Sequence, residues 1–279
     1  MPASKARLIG VDCSTDPTKV GLAVGHLEGG KLFITHAKPD KSKPDENKTW
    51  GDIEETVAEW IDDSENCLLA FDAPLGWPRP LGEALVKHEH MAGAVLEPKL
   101  DLRASQKILK AQLDQMFHRK TEQRIYEDVF EKRKKPLGVG EDKIARTAHV
   151  ALSFLQSLRN ETKCEIPLAW KPGCVEGVSV IEVYPAATLE GRNIRHADCR
   201  GKRGKEKQER LINWREDVIG RLEVDLDKDG IEKTILESGH VFDAALCVLT
   251  AADFVRGDVQ CPTDLALAKQ EGWIWVKKP

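Results

Sequence analysis

The period of the hydrophobic positions changes several times along this chain, and each change marks an element. In residues 8–28, Leu8, Ile9 and Val11 are followed by the small-residue turn Cys13–Pro17, and then Val20, Leu22 and Val24 alternate with smaller residues. That period of two predicts two strands, with Asp12 placed where the first one stops. A Gly29-Gly30 turn leads into KLFITHAK, residues 31–38, a third strand antiparallel to the second. Hairpin-linked strands in this order make a meander. Residues 39–48 are a charged, proline-containing loop. From Trp50 to Asp62 the spacing of Ile53, Val57 and Trp60 is helical. Cys67 to Phe71 is an unbroken apolar run, the pattern of a buried parallel strand. It ends on Asp72 and is cut off by Pro74, Gly76 and Pro78.

Residues 79–175 read as a helical insertion. Arg103–Lys132 is highly charged with helix-forming composition, and a break over 135–140 precedes a helix that Asp142 could cap. Strand character returns at Val178–Val183 around Glu182, and Pro185 ends it. Residues 190–216 are polar and basic, 229–256 finish in a very apolar helix, and Trp273, Ile274 and Trp275 bring the tail back onto the body. The order predicts an α/β fold: a mixed sheet, three-strand meander plus parallel strands, with helices on both faces. The expectation is one domain over 1–279 with the insertion inside it.

Composition changes this picture little. A hydrophobic content of 41%, a charged content of 32% and a net charge of −4 describe a globular protein with no global signal for nucleic acid. The seven cysteines are scattered and form no CxxC pair, so neither a zinc site nor a dithiol redox motif is signalled, and a reduced, cytoplasmic setting fits them. The N-terminus lacks the apolar run of a signal peptide. The most apolar stretch, Val241–Val255, contains Asp243 and Asp253 and is too short to span a bilayer, so no membrane partner is expected.

Four acids stand where acids are locally unexpected. Asp12 and Asp72 end apolar strands, Glu182 lies within one, and Asp243 is the only charge between Val241 and Ala252. Each has a local alternative: Asp12 and Asp72 as turn aspartates, Glu182 facing solvent on an edge strand, Asp243 near its helix start. Burying a carboxylate without a partner costs several kcal/mol or more, so a cation or hydrogen-bonding group is expected near each. Clustered carboxylates complement hard cations such as Mg²⁺ or Mn²⁺. Two such ions roughly 3.5–4 Å apart activate water and stabilise a leaving phosphodiester oxygen. Outside this set, Arg119 with Glu122 could form a phosphate clamp, and Lys143, after the Gly138–Gly140 turn, a phosphate contact. Arg195, Arg200, Lys202, Arg203, Lys205 and Lys207 could follow a nucleic-acid backbone or form a solvated loop. His88 and His90 lack a partner motif, while His240, three residues before Asp243, shares its helix face.

The phrases GVDCST, FDAPLGWP, RKTE (119–122), PLGVGEDKIA, IEVYPAATL, HVFDAALCVLTA and EGWIWV, in this order over residues 7–276, resemble a family of predicted RNase H-like nucleases, a domain of unknown function. The resemblance implies an RNase H-like fold. It puts Asp12 in the place of the first-strand metal ligand, Asp72 in that of the fourth-strand acid and Asp243 in that of the last-helix acid. RNase H-like enzymes vary in where the remaining acid lies, and Glu182 is the candidate here. The resemblance also draws Arg119, Thr121 and Glu122 into the expected substrate site. The insertion departs from minimal RNase H. The expected function is therefore a metal-dependent nuclease or phosphodiesterase acting on nucleic acid or another phosphorylated substrate. The alternatives are an actin-like ATP-dependent phosphotransferase, suggested by GVDCST with Lys19, and a non-catalytic binding module.

Overall fold

A computed structural model describes residues 6–38, 49–62, 66–83, 106–195, 203–222, 224–226 and 230–278 of the chain. The loop at 39–48, His88, His90, Arg200 and Lys202 lie outside the described residues. Strands β1 (Arg7–Asp12), β2 (Gly21–Glu28) and β3 (Lys31–Lys38) form the expected antiparallel meander. β4 (Cys67–Asp72) runs parallel to β1, and β5 (Val178–Val183) parallel to β4. Two short strands complete an open, seven-stranded sheet: β6 (Val224–Leu226), parallel to β3, and β7 (Ile274–Trp275). The spatial order is β6-β3-β2-β1-β4-β5-β7, a mixed α/β sheet consistent with an RNase H-like fold. β6 was not anticipated, because three half-buried residues are too few to show a period.

The helices are α1 (Trp50–Asp62), α2 (Gln106–Phe117), α3 (Lys120–Arg124), α4 (Asp142–Thr162), α5 (Pro185–Glu190), α6 (Gly204–Arg221), α7 (Ile231–Glu237), α8 (Gly239–Arg256) and α9 (Leu265–Glu271). The apolar helix expected in HVFDAALCVLTAADFV, residues 240–255, is α8, and the shorter α7 precedes it. Ser238 separates them, its hydroxyl accepting from the Val241 N–H at 3.3 Å to cap α8.

α8 is buried along most of its length and lies hard against the meander. A Cβ on Gly10 of β1 would stand 2.0 Å from the Ala244 carbonyl oxygen, and one on Gly21 of β2 would stand 2.0 Å from that of His240. Only glycine fits at either position. The other face carries α1 and α4, where the rings of Trp50 and Phe154 pack at a tilt 5.2 Å apart and those of Phe154 and Phe71 5.9 Å apart. Phe71 pairs with Val11, and Gly10 with Ala70, so these contacts lie on opposite sides of the pleat.

The chain divides into two compact units. The first, 1–73 with 150–260 and 275–279, holds nearly all of the sheet and α8. The second, 74–149 with 261–274, contains α2, α3 and α9. Its sequence-internal part therefore ends at His149, inside α4, and the following segment up to 175 belongs with the sheet.

Gly10→Ala is expected to lower stability by about 3 kcal/mol, because backbone on both sides leaves no room for a methyl group. Gly30→Ala, in a left-handed turn with open space around it, is expected to cost only about 1 kcal/mol. Urea denaturation of both variants checks this; equal losses would mean that α8 can shift off β1.

Candidate active site

β1 and β4 end together. Their parallel register sets Asp12 beside Asp72, and an apolar run behind each strand fixes both ends in the core. The turn that follows does not need Asp12 as a cap. Asp16 fills that role: its carboxylate accepts from the Thr18 N–H at 3.0 Å and hydroxyl at 2.7 Å, and pairs with Lys19 at 2.9 Å. Asp12 points instead to α8, where its Oδ2 lies 2.6 Å from Nδ1 of His240. Gly21 underlies this contact, since it lets the His240 backbone sit directly on β2.

Asp243 follows His240 by one turn. Burial raises the Asp243 carboxyl to about 7, with Asp12 adding to the rise while His240 and Arg215 oppose it. Asp72 is pushed well above the usual carboxylate range. Burial is the largest cause, followed by the charges of Asp12, Asp243 and Glu182 and a hydrogen bond with Asp12. Each of these influences disfavours the ionised form. Tyr184, just past β5, is raised to about 12 by burial and by the same two acids, Asp72 and Asp243. Cys13 and Cys247 adjoin the cluster, but burial first and the nearby acids second hold their thiols protonated and unreactive.

Glu182 reaches the site differently. It pairs with Phe71 across β4 and β5, so it lies on the face of Phe71, while Asp12 lies on the face of α8. Buried and close enough to act on Asp72, it borders the cluster from the other side of the sheet.

The remaining expected site residues belong to the second unit. Arg119 is wholly buried. Its Nε donates to Glu122 Oε1 at 2.8 Å, its backbone N–H to Glu122 Oε2 at 2.6 Å, and its Nη1 to the Glu271 carbonyl at 3.1 Å. The Glu271 carboxylate accepts from the Arg79 and Lys120 N–H groups, each at 2.9 Å. Thr121 Oγ1 accepts from the Ile274 N–H at 2.8 Å. These contacts tie α3 and its N-cap to the end of α9 and the residues just after it. Lys143 is exposed in the first turn of α4. The second unit also contains a cleft of about 380 Å³ lined by Lys120, Arg124, Glu127, Asp128 and Trp273, among others.

Two residues at the acidic cluster were not singled out from sequence. Tyr184 lay inside IEVYPAATL, but nothing in the pattern aimed it at the acids. Arg215 lies in a charged stretch, and the available signal was its helical alignment with Leu211 and Val218, which marks the inward face of α6.

The acids have the donor chemistry of a divalent-cation site: hard oxygens whose mutual repulsion an ion would relieve. In the arrangement described, Asp12 is engaged with Asp72 and His240. Among the described residues, no three His, Cys, Asp or Glu side chains already stand as a ready ligand group.

A family model described as "Protein of unknown function (DUF429)" matches residues 10–266. The chain belongs to this family. The match takes in Asp12, Asp72, Glu182 and Asp243, together with Arg119–Glu122 of the second unit. No curated protein and no solved structure matches the chain.

Raised carboxyl pKa values set the sign of a pH dependence. Below about pH 4, folded and unfolded chains both hold these protons; as pH rises, the unfolded chain releases them first. The stabilising contribution of Asp243 is therefore lost as pH passes through about 7, and that of Asp72 is lost in the same direction. In chelator-treated protein the melting temperature is expected to fall by on the order of 5 °C between pH 5 and pH 8. Asp72→Asn, which keeps a donor for Asp12 and removes the charge, is expected to flatten that fall. Melting curves that superimpose for the two proteins would contradict the charge burial at Asp72.

Proposed function

We propose that this protein is a metal-dependent hydrolase of phosphate esters, a nuclease or phosphodiesterase of the RNase H-like type, working at Asp12, Asp72 and Asp243. One observation carries the reading. Asp72 is half-buried at the end of an apolar strand, in register with Asp12, and every influence resolved on it opposes its charge. A protein keeps so costly a group where a ligand compensates it, and perturbed carboxyls of this kind cluster at functional sites. The placement of two acids on adjacent parallel strand ends and one on the covering helix supports the RNase H-like assignment.

Mg²⁺ or Mn²⁺ is the proposed cofactor, with Asp12, Asp72 and Asp243 as the residues that would hold it. When bound, the ion supplies a polarised water and charge neutralisation at the phosphoryl oxygens. The chain's own groups do the rest. Asp12 fixes the imidazole of His240 through Nδ1. With its side chain 41% exposed, His240 meets solvent at the site and moves a proton there through Nε2. Glu182 orders the far side of the cluster. Arg119, Thr121 and Glu122 remain proposed substrate-side residues on the family resemblance, and Lys143 on its place after the Gly138–Gly140 turn; the contacts of the first three supply rigidity to the second unit.

The proposed substrate is nucleic acid or another phosphorylated compound. A cytoplasmic setting is supported by the free thiols of Cys13, Cys67 and Cys247 in the core. Among the described residues, no single helix is long and apolar enough to cross a membrane.

Asp12→Asn and Asp243→Asn are each expected to reduce Mn²⁺-dependent hydrolysis of bis(4-nitrophenyl) phosphate, and of DNA and RNA oligonucleotides, by at least about 100-fold. Circular dichroism should remain that of the parent protein, and calorimetry should show Mn²⁺ binding weakened in both. Undiminished cleavage by both variants would refute the assignment.

A further inference from the structure

α6 is a charged helix with an exposed first half. Arg203, Lys205, Lys207 and Arg210 all face solvent, and the only buried residues on the helix are Arg215 and Val218. Val218 is ordinary core. Arg215 is 7% exposed and needs a physical reason.

Its guanidinium is lodged where α7 ends and α8 begins. Nη1 donates to the Leu236 carbonyl at 2.6 Å, and the group stands 5.8 Å from the Phe242 ring centroid. A Cβ on Gly239 would come within 3.0 Å of Nη2, so the first residue of α8 is the one that leaves the guanidinium room. An exposed lysine would cap the same carbonyl without burying a charge. Burial lowers the Arg215 pKa, and the charge that opposes this lowering is Asp243. Asp243 follows Gly239 by four residues, so the guanidinium packed against Gly239 shares that face of α8 with Asp243, at the positive end of an 18-residue helix, with His240 in the same turn. The site has two electrostatic sides: carboxylates suited to a cation, and a guanidinium with a helix N-terminus suited to an anion.

We infer that Arg215 holds the anionic oxygen of the substrate, a phosphoryl oxygen, against the carboxylate cluster. The inference rests on the phosphate-ester reading above and adds to it the residue that binds the phosphoryl group. The five donors of a guanidinium include enough to keep the Leu236 carbonyl and grip an oxygen as well. Because Arg215 is packed before substrate arrives, little ordering is lost on binding.

The test uses inorganic phosphate as the probe, titrated into the full chain with saturating Mn²⁺ and followed by calorimetry and by paramagnetic broadening of the phosphorus resonance. Arg215→Gln is expected to weaken phosphate binding about 10-fold or more. Its Mn²⁺ affinity should stay the same or rise, since a cation has been removed from beside the ligands. Arg215→Lys, which keeps a donor for Leu236, should bind phosphate with intermediate affinity, and it decides the matter if the Gln variant does not fold. Equal phosphate affinity in parent and variant, or no phosphate binding by the parent, overturns the inference. Arg215-dependent phosphate binding without cleavage of any ester would leave the inference standing and remove the hydrolase assignment alone.

Discussion

The contact between α8 and the first two strands governs this structure. Helix backbone meets strand backbone at Gly10 and Gly21 with no side chain between them, and the helix is buried almost throughout. So close a seam is rigid, because neither partner has a flexible side chain to yield. It also fixes the rotation of α8. Once Ala244 lies over Gly10 and His240 over Gly21, the preceding and intervening turns of the helix face the ends of β1 and β4. His240 then reaches Asp12, and Asp243 comes within range of Asp12 and Asp72. The acidic site is a consequence of packing that has nothing acidic in it.

That dependence explains what could be read from the chain. The meander, α1, β4, β5 and the apolar run of α8 were legible because each has a clear period or an unbroken apolar stretch. The strand-end positions of Asp12 and Asp72 followed from where those runs stop. The side of the sheet on which an acid lies did not follow. VSVIEV is apolar on both faces, so its pattern carries no parity, and only the Phe71–Glu182 register reveals that Glu182 faces away from Asp12. α7 went unread for a different reason: its seven residues mix Glu232, Lys233 and Thr234 with two buried isoleucines, too few to show a helical period.

Arg119 and Arg215 show the limit of motif reasoning most directly. Arg119 stood out because it lies in a compact phrase with Glu122, and those two residues do interact, as a buried pair within the second unit. Arg215 lies in the polar, basic stretch 190–216, whose run Arg195–Lys207 reads as a nucleic-acid contact or a solvated loop; the structure instead makes Gly204–Arg221 a helix with an exposed first half. What sets Arg215 apart is long-range: the ends of two later helices enclose it. A local pattern can suggest that a residue points inward, but the charge it will meet there comes from segments distant in sequence.

Stability and chemistry pull in opposite directions at this site. Half-buried, mutually repelling carboxyls at Asp72 and Asp243 weaken the fold as pH rises, and a buried guanidinium at Arg215 adds to the cost. The two acids sit at the end of an apolar strand and in the early turns of the most apolar helix, among buried neighbours. Polar strain is tolerable only where neighbours over-determine the geometry. Relocating the same acids to a loop would ease their desolvation and lose their mutual alignment. The cluster is aligned because of where it sits: the core supplies the rigidity that the charges, left to themselves, would undo.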